Sequence, residues 1–262
     1  MRGSSGRVGR RGARNHCRAA RVRLRGTPAV ATLQRRMAGL EDFSRDPVAA
    51  EAEALCATAR WCYARGWAAA TSGNFSVRPS PDAPTQVLIT PSGLDKGRLE
   101  PGDLIGIDGE GQVVAGQGKP SAETALHLVL YRARPEAGAI LHVHTVWNTI
   151  LTSHCAGQRH VSITGYEILK GLSGVTTHEH EERVPLLTNT QDYDVLQEEM
   201  AAALEEYPGA HGVLLSRHGL YTWGQSVAEA RRHLEALEFL FEVEGRRLAS
   251  TFRSGDGGSS LP

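Results

Sequence analysis

The sequence predicts one α/β domain: a mixed central β-sheet flanked by helices. Three observations carry that expectation. Short apolar runs of strand character alternate with amphipathic helical stretches, but without the strict βαβ rhythm of an all-parallel sheet. There is no internal repeat. A chain of 262 residues, 40% of them hydrophobic, is long enough to bury a sizeable core. We expect the domain to span residues 41–250, between a disordered Arg-rich extension (1–40) and a disordered tail (251–262).

The elements follow in order. Asp46 can cap a helix that has Pro47 at its first position. That helix runs to Arg65, stops at Gly66, and buries Leu55, Ala59 and Cys62. Residues 70–77 read as a turn leading into a strand, and Val87 to Thr90 as a short strand. Leu104–Ile107 and Gln112–Val114 flank a Gly109–Gly111 turn, which predicts a hairpin. Ser121 is placed to cap a helix to about Arg134, with Leu126, Val129, Leu130 and Ala133 inward. An apolar strand that carries His142 and His144 precedes a helix over Val146–Ser153, and a short helix is expected over Tyr166–Gly171. Residues 174–183 are polar and read as a loop. Asp192 begins a helix that ends before Pro208. Strands over Gly212–Leu215 and Leu220–Trp223 flank His218, and a long amphipathic helix spans Val227–Leu248.

The zero net charge conceals two unlike parts. Residues 1–36 hold eleven arginines and no Asp, Glu or Lys, which leaves 18 basic against 29 acidic residues in the rest. The acidic part does not suit nucleic acid. The head cannot bury enough apolar surface to offset ordering. It reads as disorder, as an organellar targeting segment, or as translation from a start upstream of Met37. No run of 18 apolar residues and no apolar-centred signal peptide is present, so neither a membrane span nor secretion is expected. Cys17, Cys56, Cys62 and Cys155 form no C-x-x-C pair and read as free thiols of a reducing, cytoplasmic compartment.

The chemistry is concentrated in a few segments. His142-Val143-His144 ends an apolar strand, and the two-residue period puts both imidazoles on one face. His218 follows another apolar run. Three histidines would bind a divalent metal and leave a position open for water or substrate. Imidazoles alone would also accept iron, cobalt or manganese. Thr71-Ser72-Gly73-Asn74 and Thr90-Pro91-Ser92-Gly93 present hydroxyls and flexible amides that could cradle an anion, with Lys96 and Lys119 as candidate counter-charges. An ordinary turn would explain either loop alone. Glu123, in the first turn of its helix, is either a dipole-favoured carboxylate or an acid/base group beside the cradle. Glu167 lies between apolar pairs, which should raise its pKa and suit proton transfer, unless it simply pairs with Lys170 at i+3. His178 and His180 read as solvent-exposed, and His127 as a satisfied core residue.

Taken in order, Thr71–Asn74, Thr90–Gly93, Lys119-Pro120-Ser121-Ala122-Glu123, His142–His144 and Arg217-His218-Gly219 resemble the class II aldolase/adducin family over roughly residues 48–248. Within that family, residues 163–171, 184–189, 219–224 and 235–241 resemble the dehydratases of methionine salvage. The resemblance implies a three-layer fold and one zinc ion per subunit on His142, His144 and His218. It also implies a phosphosugar held by Ser72, Gly73, Asn74, Ser92, Gly93, Lys96 and Ser121, and a homotetramer with active sites between subunits. In the dehydratases the acid/base falls to the position of Glu167, in the aldolases to that of Glu123. The expected activity is therefore dehydration, with sugar-phosphate aldol cleavage as the alternative. A non-catalytic scaffold like the adducin branch is a third reading.

Overall fold

The structure, a computed structural model, describes residues 47–79 and 87–255. The expectations for residues 1–40, the Asp46 cap, Cys17 and residues 256–262 lie outside the described residues.

Helix α1 (Pro47–Ala64) buries Leu55, Ala59 and Cys62 completely, as their spacing on a 3.6-residue period requires. It ends where Gly66 takes a φ of +75° and its N–H bonds Tyr63 O at 2.9 Å. Nine strands are found among the described residues: β1 (Asn74–Val77), β2 (Val87–Ile89), β3 (Ile105–Ile107), β4 (Val113–Ala115), β5 (Ala139–Val143), β6 (His160–Ile163), β7 (Glu182–Leu187), β8 (Gly212–Leu215) and β9 (Gly219–Gly224). They form one sheet in the order β4-β3-β2-β1-β5-β9-β8-β7-β6. Every pair is antiparallel except β7–β8, so the sheet is mixed, as expected.

The other helices are α2 (Thr124–Ala133), α3 (Val146–His154), α4 (Tyr193–Glu206) and α5 (Val227–Gly255), with a 3-10 turn over Glu167–Gly171. They cover both faces. One apolar cluster joins α1, α3 and α5 to Leu141, Val143 and Leu220; the other joins α2 and α4 to Ile140, Val213 and Tyr221. Strand β5 shows the alternation directly, with Leu141 and Val143 in one cluster and Ile140 in the other. On α5, Leu234, Leu237, Leu240 and Phe241 are fully buried. Such a side chain contributes roughly 1.5–3 kcal/mol, so this face, more than helix propensity, holds α5 in place.

Four expectations shift. Helix α2 begins at Thr124, with Glu123 rather than Ser121 at the N-cap position. Ser121 instead accepts a bond from Glu123 N at 3.3 Å. The last helix continues past Leu248 to Gly255. Strands β6 and β7 had no sequence counterpart: β6 has four residues, and β7 carries Pro185, a residue that argues against a strand because it donates no ladder bond. Among the described residues Cys56, Cys62 and Cys155 are buried free thiols, and burial pushes Cys56 and Cys62 up to about 12. No described helix is long and apolar enough to cross a membrane.

Candidate active site

The end of β5, the β8–β9 turn and the N-terminus of α2 converge on one cluster. His142 lies near the end of β5, and His144 follows one residue beyond the strand. Their rings, on one face as the strand period demands, have centroids 4.7 Å apart. His218 comes from the turn before β9, with its ring 5.1 Å from His142 and 4.6 Å from His144. Glu123 completes the group: Oε1 lies 2.9 Å from His218 Nε2, and Oε2 lies 3.7 Å from His142 Nε2. One ligand atom from each of the four residues lies within 4.8 Å of all the others.

Close backbone approach makes this possible. A Cβ on Gly219 would meet Val143 O at 2.3 Å and His142 Cε1 at 2.8 Å, and one on Gly73 would meet His142 O at 2.7 Å. Only glycine fits either place. The three non-glycine residues with left-handed φ among those described are Ala70 (52°), Thr71 (63°) and Arg217 (54°). All three sit in the segments that flank the cluster. Such backbone costs of order 1–3 kcal/mol per residue and persists where the surroundings enforce it.

The partners of each ring decide what it presents. His142 Nδ1 faces Leu220 O at 3.0 Å and can only donate to it, which leaves Nε2 bare in the neutral ring. His218 Nδ1 lies 3.3 Å from Asn189 Oδ1, and its Nε2 lies 2.9 Å from Glu123 Oε1. Tyr221 stacks on His142, with centroids 3.9 Å apart, and His144 N bonds Trp67 O at 2.9 Å. Burial lowers the pKa of His142 well below its ordinary value and that of His144 to about 4, so both rings are neutral, the form that ligates. Burial would raise Glu123, but the hydrogen bond from His218 and the neighbouring charges hold it well below the usual carboxylate range. His142 Nε2 and His144 Nε2 are 2.8 Å apart, a contact that needs a proton or a cation between two lone pairs. The donor set of three imidazoles and a carboxylate fits a divalent metal.

The residues expected to cradle an anion differ in how they are held. Ser92 N bonds Lys119 O at 2.8 Å, which ties the second loop to the segment before Glu123. Lys96 is 1% exposed, and its Nζ donates to Thr71 O and Leu94 O at 3.0 Å each, leaving one N–H for another partner. Burial lowers its pKa. Asn74, expected among the phosphate-binding residues, has its amide engaged at both ends. Nδ2 donates to Glu123 Oε2 at 2.5 Å and Oδ1 meets His127 Nε2. His127, fully buried, continues through Nδ1 to Ser76 Oγ at 2.7 Å, and Ser76 to Tyr131 Oη at 3.0 Å. Burial lowers His127 to about 3, so it is the satisfied core histidine expected, and it helps to orient Glu123.

Glu167 departs further. Its carboxylate is exposed, paired with Lys170 and 3.4 Å from His178, with no bond to the histidine cluster. The hydrogen bond and charge of Lys170 lower its pKa, the reverse of the expected rise, because the apolar neighbours in sequence do not enclose it. His178 is exposed as expected. His180 is not free: Nε2 bonds the buried Glu182 at 3.0 Å. Asn189 and Tyr221 lie in segments 184–189 and 219–224, which carry the resemblance, but nothing in the sequence gave either a role; the Ser76–Tyr131 relay was signalled only by polar residues inside apolar runs.

Residues 53–244 match the family model described as Class II Aldolase and Adducin N-terminal domain. The chain is 43% identical over 196 residues to a methylthioribulose-1-phosphate dehydratase of Marinobacter nauticus, covering 75% of this chain and 93% of the relative. It is 48% identical over 185 residues to one of Stenotrophomonas maltophilia, covering 70% and 85%. Among solved structures, an L-fuculose-1-phosphate aldolase from Thermus thermophilus superposes with a TM-score of 0.59 at 27% identity, covering 78% of this chain and 96% of that one.

Proposed function

Since this chain belongs to the class II aldolase and adducin family, we propose that it dehydrates 5-methylthioribulose 1-phosphate to 2,3-diketo-5-methylthiopentyl 1-phosphate in methionine salvage. The observation that carries the reading is the convergence of His142, His144 and His218 with Glu123, in a chain 42–48% identical to relatives bearing that dehydratase name.

His142, His144 and His218 would hold zinc, which would supply Lewis acidity to the sugar's reacting segment. Leu220 O keeps the His142 ring in the ligating tautomer, and Asn189 orients the His218 ring. Ser72, Gly73, Ser92, Gly93, Ser121 and the remaining donor of Lys96 bind the phosphate and fix the reacting carbons against the centre. Glu167 takes the proton from C3. The C4 hydroxyl then leaves as water with a proton from the same carboxyl, and the resulting enol tautomerises to the diketone.

Within one chain Glu167 has no bond to the cluster. We place it at the site of a neighbouring subunit in a homotetramer. Mixed oligomers test this: Glu167→Gln and His142→Ala subunits, each inactive alone, should regain turnover when combined, and failure to regain it would put both residues at one site within the same chain.

Sugar-phosphate aldol cleavage is the second reading, favoured by the place of Glu123 inside the cluster. Metal analysis with product identification decides between them. Diketone formation supports the dehydratase, and dihydroxyacetone phosphate released without diketone rejects it.

A further inference from the structure

A second group of titratable side chains lies where β7, β8, β9 and α5 meet the segment after the Glu167–Gly171 turn. Glu182, at the start of β7, is 1% exposed. Its Oε1 accepts from His211 N at 2.9 Å, and its Oε2 faces His211 Nδ1 and His180 Nε2, each at 3.0 Å. The other nitrogen of His211, Nε2, faces Ser173 O at 2.9 Å. A carboxylate and a backbone carbonyl can only accept, so both ring nitrogens of His211 must donate, and the ring is an imidazolium. His233, whose ring centroid is 5.0 Å from that of His211, is the opposite case. Its Nδ1 donates to Trp223 O at 2.7 Å while Nε2 accepts from Ser173 N at 3.0 Å, which requires a neutral ring. Ser173 Oγ donates to Glu229 and accepts from Arg232 at 2.9 Å.

Ser173 is therefore held at its carbonyl, its amide and its hydroxyl. It lies two residues beyond the turn that carries Glu167. The far end of the same segment is closed by Gly165 N bonding His178 O at 2.8 Å. We propose that His211 and Glu182 are positioning residues that clamp the Glu167 turn through Ser173, and that the clamp opens when the pair loses its shared proton in alkali. The catalytic half of this rests on Glu167 being the acid/base.

The titratable groups around His211 are Glu182 on β7 with His180 before it, and Glu229 and the neutral His233 on α5; Arg232 on α5 bonds Ser173 Oγ and Glu229. Burial would lower His211, but the hydrogen bond and charge of Glu182 raise it. Burial would raise Glu182, but His211 and His180 lower it. The sign follows from these directions. His211 holds its proton more tightly folded than unfolded, so its contribution is complete below its ordinary value and is lost as pH rises through the folded value. Glu182 contributes above its ordinary value and fails only in acid.

The test uses the full-length protein. Its histidine rings are titrated by NMR, and amide exchange at Leu172 and Ser173 is followed across the same range, corrected for the intrinsic pH dependence of exchange. His211 should titrate above its ordinary 6.5, and protection of both amides should fall about tenfold through that midpoint, the scale of one lost bond to a buried acceptor. In His211→Gln the pH dependence of protection should vanish, kcat should drop about tenfold with KM little changed, and the alkaline limb of the kcat profile should flatten. Glu182→Gln should lower the His211 midpoint. A midpoint at or below 6.5, protection independent of pH, or a wild-type profile in His211→Gln would overturn the clamp. Glu167→Gln should leave the titration and the protection untouched. Turnover surviving that change overturns the acid/base reading alone, and a flat protection profile overturns the clamp alone.

Discussion

Gly219 bears more on the centre than its lack of a side chain suggests. It ligates nothing, yet a single added carbon would press on Val143 O and on the His142 ring. Gly219→Ala should therefore displace a ligand rather than merely loosen a turn. We expect metal content of the purified protein to fall to a minor fraction, with circular dichroism near that of the parent; a fully loaded variant would show that β5 and β9 can separate without consequence. Asn74 acts through hydrogen bonds. Replaced by Ala, it would leave Glu123 without one donor and His127 without an acceptor. Losing such an outer partner costs about 10- to 100-fold in metal affinity or activity. Competition with a metal-chelating dye would measure it, and unchanged affinity would mean that His218 alone orients Glu123.

The elements differ in what holds them. Helix α5 is long and polar on its outer face, and its grip on the sheet runs through Leu234, Leu237, Leu240 and Phe241. Leu237 reaches the sheet so closely that a Cβ on Gly212 would lie 3.0 Å from its Cδ1. Leu237→Ala should cost about 2–5 kcal/mol, the range for a buried leucine whose cavity collapses incompletely. The urea midpoint reads this directly, with turnover per folded molecule retained. A shift of under about 1 kcal/mol would place the support of α5 elsewhere. Strand β7 shows the other kind of dependence. Nothing in Arg183-Val184-Pro185-Leu186-Leu187 specifies a strand, but β6 and β8 on either side leave the segment no other way to satisfy its backbone.

For the whole molecule, the buried neutral histidines govern behaviour in acid. Burial depresses His142, His144 and His127. Each binds a proton in the unfolded chain near its ordinary 6.5 but resists it in the fold. Their contribution to stability is thus intact above that value and falls as pH drops from 6.5 toward the folded values, about 4 for His144 and about 3 for His127. Each contributes a slope of up to about 1.4 kcal/mol per pH unit. After chelation, the urea midpoint should decline steeply across that interval, with more than one proton taken up on unfolding. A flat midpoint would mean that the rings already carry charge in the fold.

The chain itself determined the alternation of strands and helices, the buried faces of α1 and α2, the amphipathic character of α5, and the His142–His144 pair, because periods of two and 3.6 residues are local properties legible in any window. Neutral His127 could be read the same way. The third dimension decided which carboxylate stands with the three clustered histidines and which faces outward, that Asn74 serves Glu123, and that His180, His211 and Glu182 meet in one hydrogen-bonded cluster. Burial and hydrogen-bond partners depend on residues tens of positions apart. Glu167 sits between apolar neighbours in sequence and in the open in the fold; its i+3 spacing to Lys170 pointed to the surface pair that the structure shows, while the apolar neighbours pointed to an enclosure that only the fold could deny.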